Sequence, residues 1–227
     1  MMILPADCLT RNAWICGKYF TTRRTMILSS LREHIILTLV AVGVGFVVSV
    51  PLSLLVRRFR RTESTVIGLT SVLYAIPSVA LFAVLVPWTG LTSTTVEIGL
   101  VIYTLVIFVR NNLAGFDAVP DDVRDAAAGM GMGPSRTLLR VEIPLALPSI
   151  IAGLRIATVS TIALVTVGSL IGVGGLGAQL TDAFNSYFKA EALTATVLCV
   201  ALALIADLLI VGTGWALMPW RRRKRAT

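Results

Sequence analysis

Apolar residues in this chain fall in long unbroken blocks, without the period of two that marks a half-buried strand or the narrow stripe of a soluble amphipathic helix. Five blocks stand out, at 35–56, 65–86, 93–109, 149–171 and 192–215. A helix needs about 20 apolar residues to cross ~30 Å of hydrocarbon. Four blocks reach that length, and the third is short, which predicts a helix of little tilt or one packed inside a bundle. Pro51 and Pro77 interrupt the first two blocks, and kinks are expected at both, because neighbouring helices in a membrane can satisfy the freed backbone groups. The pattern predicts an all-α membrane protein, a bundle of about five transmembrane helices.

Composition agrees. Charged residues are 14% of the 227 and apolar residues 56%, whereas soluble domains carry about 25% charge. The net charge of +8 lies in short clusters beside the apolar blocks, as at the cytoplasmic ends of membrane helices, and this argues against a nucleic-acid partner. Arg57, Arg58, Arg60 and Arg61 follow the first block, Arg110, Arg124, Arg136 and Arg140 the third, and Arg221, Arg222, Arg223, Lys224 and Arg225 the fifth. These regions are expected to be cytoplasmic. The stretch 87–92 carries no basic residue and 172–191 only Lys189, so both are expected outside. Five crossings with the C-terminus inside put the N-terminus outside, although Arg11, Lys18, Arg23, Arg24 and Arg32 oppose that side. A sixth helix near the N-terminus is the alternative. Trp88, Trp215 and Trp220 sit near block ends as headgroup anchors.

The organisation expected is an extracytoplasmic N-terminal extension (1–30), a membrane domain (31–220) and a basic cytoplasmic tail (221–227). Asp7, Arg11 and Lys18 interrupt the extension, so it lacks a signal-peptide core; it reads as a short surface helix or a consequence of start-site choice. Cys8, Cys16 and Cys199 form no CxxC pair and read as small packing residues. His34, without a second histidine or an acidic cluster, reads as an interfacial polar residue, and no metal site is expected.

The longest cytoplasmic segment, 111–148, holds the candidate chemistry. Pro120 can open a helix at its first position, Asp121 and Asp122 suit the positive end of the dipole, and 123–128 favours helix. Gly129, Gly131 and Gly133 stop it. A second short helix is expected from Pro134 through Arg140 and Glu142, ending before Pro144, with Pro148 marking the start of the fourth span. Two short helices on a glycine hinge present small residues that another protein's backbone can approach closely.

The order Asp125-Ala126-Ala127, three residues, Gly131, nine residues, Val141, one residue, Ile143-Pro144 resembles the loop motif of permease subunits in type I ATP-binding-cassette importers. That motif reads Glu-Ala-Ala, three residues, Gly, nine residues, Ile, one residue, Leu-Pro. Every spacing agrees, while Asp125, Val141 and Ile143 stand for Glu, Ile and Leu. The resemblance covers about 31–215 and implies the type I permease bundle. It makes Asp125, Ala126, Ala127, Gly131, Ile143 and Pro144 the loop that couples to separate ATPase subunits. It further implies a second permease, identical or related, an extracytoplasmic substrate-binding protein, alternating access, and a cell-membrane location among lipids. No cofactor is bound by this chain; ATP and Mg belong to the ATPase.

Smaller motifs narrow the resemblance. His34 with Leu37-Thr38-Leu39, Ile76-Pro77-Ser78, the run from Ile171 to Gly177, and Ala206-Asp207-Leu208 look like permeases for glycine betaine, carnitine, choline and related osmoprotectants. Permeases for methionine and other amino acids share parts of this pattern and form the alternative substrate class. Gly172, Gly174, Gly175 and Gly177 also satisfy GxGxxG, but a dinucleotide loop follows a strand and opens a helix in a βαβ unit. Here the run follows a membrane span, and it reads as a sharp turn at the outer mouth, structural or gating, where a delivery protein could dock.

No G-x-x-x-x-G-K-[ST], G-x-S-x-G or H-E-x-x-H occurs, so no catalytic residue is expected and the chain is not itself an enzyme. A membrane-embedded enzyme would need a His, Asp or Glu cluster in the spans. An ion-coupled carrier or channel would show internal repeats and several midplane ionisable residues. Here one acid, Asp207, lies deep, and Arg155 in the fourth span is its candidate partner. An intramembrane ion pair is the first reading, a solvated gating position the second and a substrate contact the third. Glu97 reads as an interfacial charge.

Overall fold

The computed structural model describes residues 7–219. Trp220 and the basic tail from Arg221 to Arg225 lie outside the described residues. In chain order the elements are α1 (Gly17–Thr22), α2 (Arg24–Arg58), a 3-10 turn (Arg60–Thr62), α3 (Glu63–Ala75), α4 (Ser78–Thr89), α5 (Ser93–Asp117), α6 (Asp121–Gly129), α7 (Pro134–Thr137), a π turn (Leu138–Glu142), α8 (Ile143–Val165), a 3-10 helix (Thr166–Ile171), α9 (Leu176–Ser186) and α10 (Lys189–Leu217). Among the described residues there is no strand. Among the described residues, four helical runs are long and apolar enough to cross a membrane, namely α2, α5, Pro134–Ile171 and α10. The count is five if the broken pair Arg60–Ala75 and Ser78–Thr89 forms one span.

The two prolines expected to kink their spans behave differently. Pro51 lies inside the uninterrupted α2. Ser49 and Ser53 flank it, and their hydroxyls donate to the carbonyls of Phe46 (2.8 Å) and Ser49 (2.7 Å), which holds these turns. Pro77 ends the helix outright. It precedes α4 with ψ 134°, and its ring disfavours helical backbone at Ile76.

The third span is not short: α5 has 25 residues. The apolar block ends at Val109, yet Asn111 and Asn112 beyond it both fit the helix. Asn111 Nδ2 donates to the Ile107 carbonyl at 2.8 Å, and the buried Asn112 Nδ2 donates to the hydroxyls of Ser49 and Ser53 at 3.3 Å.

The second short helix does not end before Pro144. The run from Pro134 to Ile171 is continuously helical, with a π turn at Leu138–Glu142 just ahead of the proline. In regular α geometry the Pro144 ring would strike the Arg140 carbonyl. The wider π turn gives the ring room. The stretch 172–191, expected as an external connector, contains α9, and α10 starts at Lys189.

The described residues form two compact units, the first holding the chain to Ala41, Ile76–Leu100 and Ser160–Leu204, the second Val42–Ala75, Val101–Val159 and the chain from Ile205. In the second, Val42, Phe108 and Ala157 pack with Phe46, Ile107 and Leu154, while Val56, Val109 and Leu113 pack with Leu52, Val66 and Ile67. Small residues set the helix spacing there: a Cβ on Gly153 would lie 2.6 Å from Cβ of Asn111, and one on Gly115 would lie 2.9 Å from the Ala146 carbonyl. Close approach at small residues substitutes for the hydrophobic drive that lipid cannot supply.

In the first unit the N-terminal segment corrects two expectations. Cys8 and Cys16 are joined by a disulfide with a Cα–Cα distance of 5.5 Å, so they are not independent packing residues. The turns Arg11 N–H to Asp7 O, Asn12 N–H to Leu9 O and Ala13 N–H to Cys8 O bring them together. Lys18 binds Asp7 and holds its carboxyl below the usual carboxylate range. α2 begins at Arg24, so the boundary expected at residue 30 falls inside a helix.

This segment is fastened to the start of α10. Tyr19 is buried with Cys16, Ile27 and Ala190 and meets the Phe188 ring edge to face at 5.5 Å. Burial, with Glu191 nearby, pushes its phenol above the ordinary value of 10. Asn12, in the left-handed region at φ 49°, donates from Nδ2 to the Tyr187 carbonyl (2.8 Å) and accepts the Lys189 N–H at Oδ1 (2.9 Å). A residue distant in sequence thereby caps the N-terminus of α10.

Candidate functional site

α6 begins after Pro120, which takes an extended conformation (φ −62°, ψ 145°) and occupies the position before the first helical residue rather than the first itself. The helix ends in a Schellman motif. The Met132 N–H bonds to the Ala127 carbonyl at 3.1 Å and the Gly131 N–H to the Ala128 carbonyl at 2.9 Å, with Gly131 at φ 77°. Of the three glycines, Gly131 is the one whose backbone requires its residue type; Gly129 closes the helix and Gly133 precedes α7 at φ −70°.

The six loop residues divide by burial. Asp125, Ala126 and Gly131 are exposed, Ile143 and Pro144 are half-buried, and Ala127 is buried. Ala127 therefore belongs to the loop's own packing, whereas Asp125, Ala126 and Gly131 can meet a partner. Met130, 70% exposed between Ala126 and Gly131, extends that surface with a large flexible apolar side chain.

A buried carboxylate, absent from the sequence-derived site, anchors this surface. The Glu142 side chain is 3% exposed, forms an ion pair with Arg57 at the end of α2, and accepts a hydrogen bond from Arg124 Nε at 3.2 Å. Arg124 also donates to the Phe116 carbonyl and to Asp121, each at 2.6 Å, and the Arg57 guanidinium stacks over the Phe116 ring at 5.3 Å. α2, α5, α6 and the π turn thus meet at one charge cluster. Two cationic partners offset the desolvation of one buried carboxylate. The available signal was an acid between apolar Val141 and Ile143, directly before a proline.

The glycine run is a tightly fitted turn. Gly172 ends the 3-10 helix at φ 84°, its N–H bonding to Ser169 O (3.0 Å) and that of Val173 to Gly168 O (3.2 Å). Gly175, at φ 51°, rests on α2: a Cβ there would lie 2.7 Å from both the His34 nitrogen and the Ser30 carbonyl. Gly174 and Gly177 abut backbone atoms of Ser169 and Thr166, with hypothetical Cβ distances of 2.5 and 2.4 Å respectively. His34 itself is fully buried rather than interfacial, its Nε2 3.0 Å from the Ile162 carbonyl, where α8 gives way to 3-10 geometry.

Arg155 and Asp207 meet in bidentate fashion, Nε to Oδ1 at 2.7 Å and Nη2 to Oδ2 at 2.8 Å. Among the described residues no group of three His, Cys, Asp or Glu side chains is arranged to hold a metal.

With this geometry in view, comparison with known proteins places the chain. The family profile described as "Binding-protein-dependent transport system inner membrane component" matches residues 26–216. The glycine betaine/carnitine/choline transport system permease protein OpuCD of Bacillus subtilis (strain 168) is 33% identical, over 92% of this chain and 91% of its own length. The choline transport system permease protein OpuBB of the same organism is 31% identical, over 84% and 88%. Among solved structures, a chain from inward-facing conformations of the MetNI methionine ABC transporter superposes with a TM-score of 0.78 at 20% identity, covering 86% of this chain and 98% of that one. The last likeness establishes the fold.

Proposed function

The chain belongs to the family of binding-protein-dependent transport system inner membrane components, and from that membership we propose that it is the permease subunit of an ATP-driven importer of osmoprotectants: glycine betaine, carnitine, choline or related quaternary amines. One observation carries the mechanical half of this reading. A small-residue surface at Asp125, Ala126 and Gly131 stands on a helix held by the Arg124–Glu142–Arg57 cluster. A contact that passes force needs a fixed base, and a buried ion cluster is harder to displace than a solvated connector. The substrate class rests on the relatives, whose names specify glycine betaine, carnitine and choline.

The α6 loop and the C-terminal tail face the cytoplasm, as the distribution of arginine supports. The segment from Asp7 to Thr22 lies outside. The Cys8–Cys16 disulfide supports that side, since such bonds persist in oxidising compartments, and it outweighs the five basic residues that oppose it. Separate ATPase subunits hold ATP and Mg and receive the α6 surface. A second permease, identical or related, completes the path, and an external binding protein delivers solute near the glycine turn. ATP binding draws the two loops together and favours the outward-open state; hydrolysis restores the inward-open one.

Purified with its ATPase and binding protein and placed in vesicles, the complex should take up betaine, choline or carnitine only when ATP is supplied. Uptake of methionine in their place would overturn the substrate class, and uptake independent of ATP would overturn the mechanism.

A further inference from the structure

The bidentate Arg155–Asp207 pair sits on a face that this chain does not cover. The Arg155 side chain is 45% exposed and that of Asp207 27%. Both belong to helices long and apolar enough to span a membrane, and at ~1.5 Å per residue Arg155 lies about 9 Å inside the apolar block that starts at residue 149. The neighbours Ile156, Val159 and Leu208 are also exposed. A guanidinium has five N–H donors and a carboxylate about four acceptor positions. The pair uses two of each, and no other partner of Arg155 or Asp207 occurs among the described residues.

Hydrocarbon cannot satisfy the remainder. A covering apolar protein face would leave the same donors unmet. Water meets them. Resting on the importer reading above, we infer that the face formed by Arg155, Val159 and Asp207 lines the aqueous path, and that the pair is a station for small quaternary ammonium solutes. The fixed cation faces the free lone pairs of Asp207. Where the solute also has a carboxylate, that group faces the unused edge of Arg155.

The test uses the assembled complex carrying Cys199→Ser and Val159→Cys, with the Cys8–Cys16 disulfide left intact. Rates of thiol modification are compared for a trimethylammonium methanethiosulfonate and a neutral methanethiosulfonate of similar size. Both reagents should react at Cys introduced at 159. Relative to the neutral reagent, the cationic one should slow roughly threefold with Asp207→Asn and quicken roughly threefold with Arg155→Gln, as for a charge ~7 Å away in water. Failure of either reagent to react, or ratios indifferent to both substitutions, would overturn the inference, indicating lipid or a second copy on this face. ATP-dependent uptake by the same complex reports separately on the importer reading.

Discussion

Arg124 Nε donates to the buried Glu142 Oε1 at 3.2 Å, which ties the residue directly before the Asp125-Ala126-Ala127 run to the residue directly before Ile143-Pro144. The two halves of the loop motif are therefore joined by one ion pair in the folded chain. Spacing between the halves matters because it sets whether these side chains meet.

Glu142→Gln removes the charge that two arginines share. Breaking a buried pair typically costs about 3–5 kcal/mol, and Arg57 and Arg124 are then left facing each other. The variant is expected to insert but to lose ATP-driven uptake, with a lowered midpoint for thermal unfolding in detergent. Arg124→Ala should resemble it, and the double variant should cost less than the sum of the two. Independent, fully additive losses would remove the link assigned here.

At Gly131 the obstacle to substitution is backbone strain. Its φ is 77°, and nothing lies within 4 Å of where a Cβ would be. Gly131→Val should cost about 1–2 kcal/mol and reshape the end of α6, so uptake fails while the ATPase still turns over. Asparagine tolerates the left-handed region, and Gly131→Asn should retain most uptake. Equal loss in both variants would point instead to a contact that excludes any side chain.

The glycine turn separates strain from collision. Gly175→Ala places a methyl 2.7 Å from backbone atoms of Ser30 and His34, whereas Gly172→Ala meets open space and suffers only from its φ of 84°. Thermal denaturation should show the first variant well below the second, and Gly43→Ala, with open space and ordinary helical geometry, close to the parent.

The N-terminal fastening is open to chemical test. Denatured without reductant, the protein should take up one thiol label, at Cys199, and after reduction three, because Cys8 and Cys16 are paired. Asn12→Ala removes the cap on Lys189 and should cost about 1 kcal/mol, seen as faster amide exchange at 188–191 and little change in α5. Three labels without reduction would show that the disulfide does not form.

The spans and the loop motif were legible because each depends on residues close in sequence. Hydropathy marked five blocks, of which the first, third, fourth and fifth lie in helices long and apolar enough to cross a membrane and the second is broken at Pro77, and the spacing from Asp125 to Pro144 found the loop. What stayed hidden depends on partners far along the chain. The third span looked as though it stopped at Val109, short of Asn112, because Ser49 and Ser53, which accept that residue's hydrogen bonds, lie some 60 residues earlier. From sequence alone Glu142 falls in a short helix and has no role, because its arginines come from positions 57 and 124. Pro51 and Pro77 look alike within apolar runs, yet only the second ends its helix. The cysteine pair was missed because closing it needs the turns at Asp7–Ala13, which no periodicity announces.

α6 keeps Ala127 inside and turns Asp125 and Ala126 outward, and Met130, just past its end, is exposed as well. Adjacent alanines with the same chemistry are therefore under different constraints. A permease adapting to an ATPase with an altered cleft could vary the outward positions freely, since none of them supports the bundle. A larger residue at 127 would disturb the helix before any partner arrived. On the function proposed above, matching to a particular motor and integrity of the scaffold fall on opposite sides of a single nine-residue helix, and swapping only the outward side chains is expected to re-pair this subunit with a foreign engine.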